Sequence, residues 1–158
     1  MQYILMALMG CGIVAADQLS KLWIVENIPL YQQTPVIPGL FHLTYVQNTG
    51  AAFSSFQGQQ WLFILVFAVL TAAVIWEFTT KKMGFSTFER WCIAAIYAGG
   101  LGNMIDRLRL SYVVDMIEVE FIRFPVFNVA DCFITCGCIA MMVSLVFFNK
   151  GFWKDGKK

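Results

Sequence analysis

The chain has little charge, a single histidine and no basic run. Asp, Glu, Lys and Arg make up 13% of its 158 residues, against 59% hydrophobic. A soluble domain of this size has too little interior to hide that much apolar side chain, so the shortage of charge points to a membrane protein. A net charge of +1 without a dense basic patch argues against a nucleic-acid partner. His42 is the lone histidine, and neither H-E-x-x-H nor G-x-S-x-G occurs. Zinc-peptidase and Ser-His-Asp chemistry therefore lack their residues. Ser20 and Lys21 are adjacent on a helix and point apart, which disfavours a Ser–Lys dyad. Cys11, Cys92, Cys132, Cys136 and Cys138 all lie in apolar segments and read as small hydrophobes. Cys132 and Cys136 share a helix face with no His or third thiol at ligand spacing, so no metal site and no cofactor are expected.

What is present is hydrocarbon in four blocks. A bilayer core needs about 20 apolar residues per helix. Residues 3–25, 61–78, 91–110 and 129–148 meet or approach that length. The sequence predicts an all-α membrane protein, one domain over residues 1–158, with four transmembrane helices and a small extracytoplasmic β-sheet region. At the N-terminus, "LMGC" has the look of a cleavage box. The basic leader region is missing and the apolar pattern runs on to Ala16, so an uncleaved first helix is expected.

Loop charges orient the spans. Residues 27–60 contain no Lys or Arg, whereas Lys81, Lys82 and Arg90 join the second span to the third, and Lys150, Lys154, Lys157 and Lys158 end the chain. Both termini and the middle loop are expected in the cytoplasm, with the first loop and the Asp115 region outside. Arg107, Arg109 and Arg123 run against this trend and need another explanation.

The outer segments alternate like strands. In "GLFHLTYVQN", Phe41, Leu43 and Tyr45 share one face, and His42 and Thr44 take the other, which is expected to be exposed, with His42 a bystander. In "VVDMIEVEF", Val113, Ile117, Val119 and Phe121 share parity with Asp115, and Glu118 and Glu120 lie opposite. A carboxylate on an apolar face is costly to leave there without a purpose.

Polar groups collect at one depth. They are Asp17, Gln18 and Lys21 in the first span, Asn103, Asp106 and Arg107 in the third, and Asn128 and Asp131 in the fourth. Ionisable groups in membrane helices usually face the bundle interior and serve a function. Gly99, Gly100 and Gly102 let the third helix approach its neighbours. Structural readings stand beside this one. Asn128 and Asp131 have capping-box spacing, Asp17–Lys21 and Asn103–Arg107 are i, i+4 pairs that can satisfy each other, and Asp106 also reads as structural. Asp115 has no cap and no i, i+4 cation. Asp115 and Asp131 flank "FPVF", so the chain turns between them and brings both to one membrane face. Two close carboxylates share a proton near neutral pH, which gives one base to activate water and one acid to polarise a carbonyl. A helix N-terminus favours negative charge, casting Asp131 as base and Asp115 as acid.

At these residues the chain resembles the type II signal peptidases, the bacterial lipoprotein signal peptidases. "DQLSK" (residues 17–21), "NTGAAF" (48–53), "GGLGNMIDR" with "VVD" (99–107 and 113–115) and "FNVAD" (127–131) resemble the family's motifs, in order and over nearly the whole length. Ser111 stands where the family pattern has Gly, and Met116 where it has Phe; these departures bear on the turn into the strand and on a pocket wall. The resemblance implies an aspartic endopeptidase, multi-pass in the bacterial cytoplasmic (inner) membrane, with its active site at the extracytoplasmic face. Its substrate would be a diacylglyceryl-modified prolipoprotein, cut just before the lipobox cysteine, with membrane lipid as surroundings and globomycin as an inhibitor. It implies Asp115 and Asp131 as the catalytic pair, with Asp17, Lys21, Asn48, Gly50, Asn103, Arg107 and Asn128 supporting or binding substrate. Two other classes stay open on the residues alone. One is a small proton-coupled transporter or channel, although the inner halves such as residues 91–98 lack a polar chain. The other is a non-catalytic protein that binds lipidated peptides.

Overall fold

The computed structural model describes residues 1–50, 56–149 and 152. The "NTGAAF" motif lies partly outside them, at residues 51–53. Helix α1 spans Gln2–Asn27, followed by strands β1 (Gln33–Ile37) and β2 (Phe41–Asn48), helices α2 (Gln60–Thr80) and α3 (Thr87–Leu110), strand β3 (Val113–Val119) and helix α4 (Val129–Val143), which closes in a π turn over Ser144–Phe148. The described residues are mostly helical with one three-stranded antiparallel sheet, ordered β1-β2-β3.

Among the described residues, three helices are long and apolar enough to cross a membrane: Gln2–Asn27, Gln60–Thr80 and Val129–Phe148. Their large side chains face outward, and only 6% of the most apolar stretch of α2 is buried. Water would penalise that surface, whereas lipid would not. Helix α3 is the expected third span, but it carries Glu89, Arg90, Asp106, Arg107 and Arg109 and is not among the three. It packs at the centre, against α1, α2 and α4. The glycines explain how closely. A Cβ on Gly99 would meet the Ala130 carbonyl oxygen at 2.6 Å, and one on Gly102 would meet Asp17 Oδ2 at 2.5 Å. Neither position tolerates a side chain without moving a neighbour.

The sheet sits at the end of the helices where α1 finishes and α4 begins. Ile24 from α1 and Ile28 just after it pack with Tyr45, Val114 and Met116, and Leu43 and Ile117 lean on the same cluster. This corrects the strand parities. The backbone N–H groups of Met116 and Ile117 both donate to the Phe127 carbonyl, at 2.9 and 2.8 Å. Two successive residues opposing one is a β-bulge, and it reverses the alternation beyond it. Ile117 therefore joins Val114 and Met116 in the apolar cluster, and the strand ends at Val119, before Phe121. His42 and Thr44 are also not exposed: they retain 8% and 2% of their surface. Met116 belongs to this buried cluster and is not a pocket wall.

The opposite end of the bundle holds polar groups that the sequence reading did not find. Glu77 accepts from Arg90 Nε and Nη2 at 3.1 and 3.0 Å. Glu89, fully buried, accepts from Ser144 Oγ at 2.8 Å and Asn149 Nδ2 at 2.7 Å. Ser86 and Glu89 form a reciprocal capping box at the start of α3. These bonds tie the α2–α3 turn to the end of α4.

Candidate active site

Three helices and two strands converge on a network of carboxylates and amides. Helix α4 starts at the capping residue Asn128, whose Oδ1 accepts from the Asp131 N–H at 3.0 Å, while Asp131 Oδ2 accepts from the Asn128 N–H at 3.2 Å. The expected capping box is therefore formed. It also does more than cap. With its oxygen engaged, the Asn128 amide nitrogen is turned toward Asp115 Oδ1, at 2.7 Å. The same nitrogen lies 3.1 Å from Asn103 Oδ1. One fully buried asparagine thus touches both candidate carboxylates.

Asp115 reaches this point from β3 and is 3% exposed. Its second oxygen accepts from Asn48 Nδ2 at 2.9 Å, across the β2–β3 pairing. Burial pushes the Asp115 carboxyl up to about 7, helped by the Asp131 charge and opposed by the hydrogen bonds from Asn48 and Asn128. Asn48 is itself held: its Oδ1 accepts from the Gly50 N–H at 2.9 Å.

Behind the two aspartates lies a buried ammonium. Lys21 Nζ sits 2.8 Å from Asp17 Oδ2, 2.9 Å from Asp106 Oδ2 and 2.9 Å from Asn103 Oδ1. All three ammonium donors are used. Because Asn103 Oδ1 faces Lys21, its Nδ2 must face the other way, and it donates to Asp131 Oδ1 at 2.8 Å. Asp17 Oδ1 accepts the free Ala130 N–H in the first turn of α4, at 3.0 Å. Asp106 accepts from the Val114 N–H at 3.1 Å and from Gln18 Nε2 at 2.9 Å. The i, i+4 pair Asp17–Lys21 exists, but Lys21 is shared with a second helix. The Asn103–Arg107 pair is only a 3.4 Å bond to the Asn103 carbonyl; the Asn103 side chain works elsewhere.

Arg107 is half-buried over the Phe63 ring, with its guanidinium carbon 4.4 Å from the centroid, and its Nη2 donates to the Gly50 carbonyl at 3.0 Å. This accounts for an arginine that defied the loop-charge trend. Arg109 and Arg123 are exposed. Ser111, at the C-cap of α3, adopts φ 66°. A left-handed residue there suits glycine better than serine.

Each site residue expected from the sequence enters this network: Asp17, Lys21, Asn48, Gly50, Asn103, Arg107, Asp115, Asn128 and Asp131. Asp106 and Gln18, which also hold Lys21 and Asp17 in place, were visible as polar residues at the same depth. His42 is the main correction. It bridges Glu118 and Glu120, with Nε2 2.7 Å from Glu118 Oε2 and Nδ1 3.1 Å from Glu120 Oε1. Burial opposes its charge, but the two carboxylates outweigh burial and hold the imidazole above its ordinary value. Among the described residues, no group of three His, Cys, Asp or Glu side chains is placed to hold a metal ion.

A network of this kind can hold two carboxylates in different environments and orient a water between them. The model of the signal peptidase (SPase) II family matches residues 9–147. A lipoprotein signal peptidase of Streptococcus pyogenes serotype M1 is 45% identical over 143 residues, covering 90% of this chain and 89% of that protein. One from Streptococcus agalactiae serotype III (strain NEM316) is 47% identical over 155 residues, covering 98% and 96%. A bacterial membrane enzyme solved by the in meso method at 2.3 Å superposes with a TM-score of 0.83 at 28% identity, over 96% of this chain and 89% of that one. A second, solved at 1.9 Å, gives 0.81 at 29% identity over 90% and 93%.

Proposed function

Because the chain belongs to the signal peptidase II family, we propose that this bacterial membrane peptidase is an aspartic endopeptidase that cleaves the signal peptide of prolipoproteins just before a diacylglyceryl-modified cysteine. The observation that carries the reading is Asn128, whose side-chain N–H binds Asp115 while its backbone N–H binds Asp131. That arrangement fixes two carboxylates at the mouth of α4 without neutralising either through a direct cation.

In this mechanism Asp115 is the acid. Its carboxyl, raised to about 7, keeps a proton near neutral pH and donates a hydrogen bond to the scissile carbonyl. Asp131, at a helix N-terminus, is the base. It takes a proton from water as the water oxygen attacks the carbonyl carbon. When the tetrahedral intermediate collapses, the proton on Asp131 passes to the departing α-amine of the modified cysteine. Asn48, Asn103 and Asn128 hold the carboxylates, Lys21 orients Asn103, Asp17 anchors the first turn of α4, and Arg107 steadies Gly50 beside the substrate path.

The same reading places α3 across the membrane as a fourth span, with Asp106 spent on α1 and β3, Arg107 on the Gly50 carbonyl, Arg90 on Glu77 of α2 and Glu89 on Ser144 and Asn149. It makes residues 1–158 one domain of the cytoplasmic membrane, with both termini inside and the network at the extracytoplasmic face. The Lys/Arg-free stretch 27–60 supports that orientation. Water and a membrane-anchored peptide bond meet only at this depth. A cyclic peptide such as globomycin would compete for the same place. The test is incubation of the purified protein with a diacylglyceryl-cysteine peptide and its unlipidated twin. Release of a product beginning at the modified cysteine, from the lipidated peptide alone, is expected; cleavage elsewhere or of both peptides equally would refute the reading.

A further inference from the structure

An opening next to Asp115 has been given no role by the chemistry above. It is a cavity of about 720 Å³ that begins at Asn48 and Asp115 and continues past His42, Glu118 and Glu120 to the 122–126 segment. The β3 bulge is what puts Asp115 and the two glutamates along one wall. His42 is buried, yet the side chains of Glu118 and Glu120 keep 31% and 30% of their surface. Glu118 Oε2 also accepts from Gln33 Nε2, and Glu120 Oε2 accepts from the Gly39 N–H. The two carboxylates are thus pinned from three directions and still open to the cavity.

Direction follows from the surroundings. In the proposed reaction the apolar signal segment lies along the apolar helices; the cavity is lined by the sheet and its loops. For a peptide bond held at Asp115, this cavity offers a water-side exit for the chain beyond it. We infer that this cavity receives the first residues of the mature polypeptide, and that Glu118 and Glu120, braced by His42, make it prefer basic over acidic side chains there. An extended chain advances about 3.3 Å per residue. Glu118 lies three residues along β3 from Asp115, so the third to fifth mature residues, counting the modified cysteine as the first, come alongside the glutamates.

This inference rests on the proposed cleavage reaction, and its test separates the two. Diacylglyceryl-cysteine peptides identical except for Lys, Ser or Glu at the fourth mature residue are turned over by full-length enzyme at low salt. Partly exposed charge pairs contribute modestly, so kcat/KM is expected to favour Lys over Glu by about threefold to tenfold, with Ser between. The ratio should shrink as salt is added. In E118Q/E120Q the Lys-to-Glu ratio should fall toward one, whatever the variant's absolute rate. Equal turnover of the three peptides by the unaltered enzyme would overturn the subsite while leaving the peptidase reading intact. A wild-type preference that survives in E118Q/E120Q would overturn the assignment to these residues. Failure to cut any of the peptides would overturn the reaction itself.

Discussion

Replacing Lys21 by methionine removes one charge from the centre of the bundle and strands two others. Asp17 is fully buried and Asp106 is 3% exposed, and both depend on the same ammonium at 2.8 and 2.9 Å. Breaking a buried ion pair by deleting one partner costs about 3–5 kcal/mol, because the abandoned charge stays in low dielectric. Here each aspartate keeps other donors, the Ala130 N–H for Asp17 and the Val114 N–H and Gln18 for Asp106, so the lower end, about 3 kcal/mol, is expected. A second effect reaches the reaction. Asn103 Oδ1 loses Lys21, and nothing then stops its amide from rotating away from Asp131 Oδ1. Lys21→Met should therefore unfold at lower temperature in detergent, followed by tryptophan fluorescence, and should also lose turnover. Adding Asp106→Asn to Lys21→Met should recover part of the stability by removing one stranded charge. It should recover little activity, because Asn103 is still unguided. A Lys21→Met protein with unaltered melting and normal turnover would refute the reasoning about both charge and orientation.

Further expectations follow from the same geometry. With Asp115 as acid and its carboxyl near 7, kcat/KM should fall as pH rises through about 7; a flat profile to pH 9 would contradict that role. Asn48→Ala removes a bond that holds this carboxyl down, so the alkaline limb should move upward. Its loss, about 1.5–3 kcal/mol for a bond to a charged group, should slow cleavage roughly tenfold to a hundredfold if the bond persists in the transition state. Ser111→Gly relieves a left-handed serine at φ 66° and should stabilise the protein by about 1 kcal/mol, read as a raised melting temperature; no change would mean that the turn is already relaxed.

The depth and identity of the polar network were legible because a charge inside an apolar run stands out, and Asp17, Lys21, Asn103 and Asp131 each interrupt one. Their partners were less legible. Asp17 with Lys21 at i, i+4 looks complete on paper, and only the approach permitted by Gly102 brings Asp106 to the same ammonium. Strand parity failed at Met116–Ile117 because the bulge there is set by Phe127, ten residues further on in a loop, and not by the strand's own alternation. His42 read as exposed because its partners lie on another strand: the β2–β3 register sets Glu118 directly across from it, and a histidine between two carboxylates can be buried. The Ser86–Glu89 capping box did carry a sequence signal, S-x-x-E before an apolar run. The Glu77–Arg90 pair carried none, since it closes across the α2–α3 turn.

The proposed reaction depends most directly on the two aspartates. Asp115→Asn and Asp131→Asn keep size, the amide oxygen can still accept one of the two bonds that each carboxylate takes, and Asn128 remains in place to cap α4. Turnover of a diacylglyceryl-cysteine peptide by each variant, with membrane insertion and abundance checked in parallel, is the measurement. The account predicts that both insert normally and neither cuts, and that the double variant is little worse than either alone because the pair acts as a unit. A well-inserted single variant cutting at more than about a tenth of the wild-type rate, a barrier change under about 1.4 kcal/mol, would contradict it.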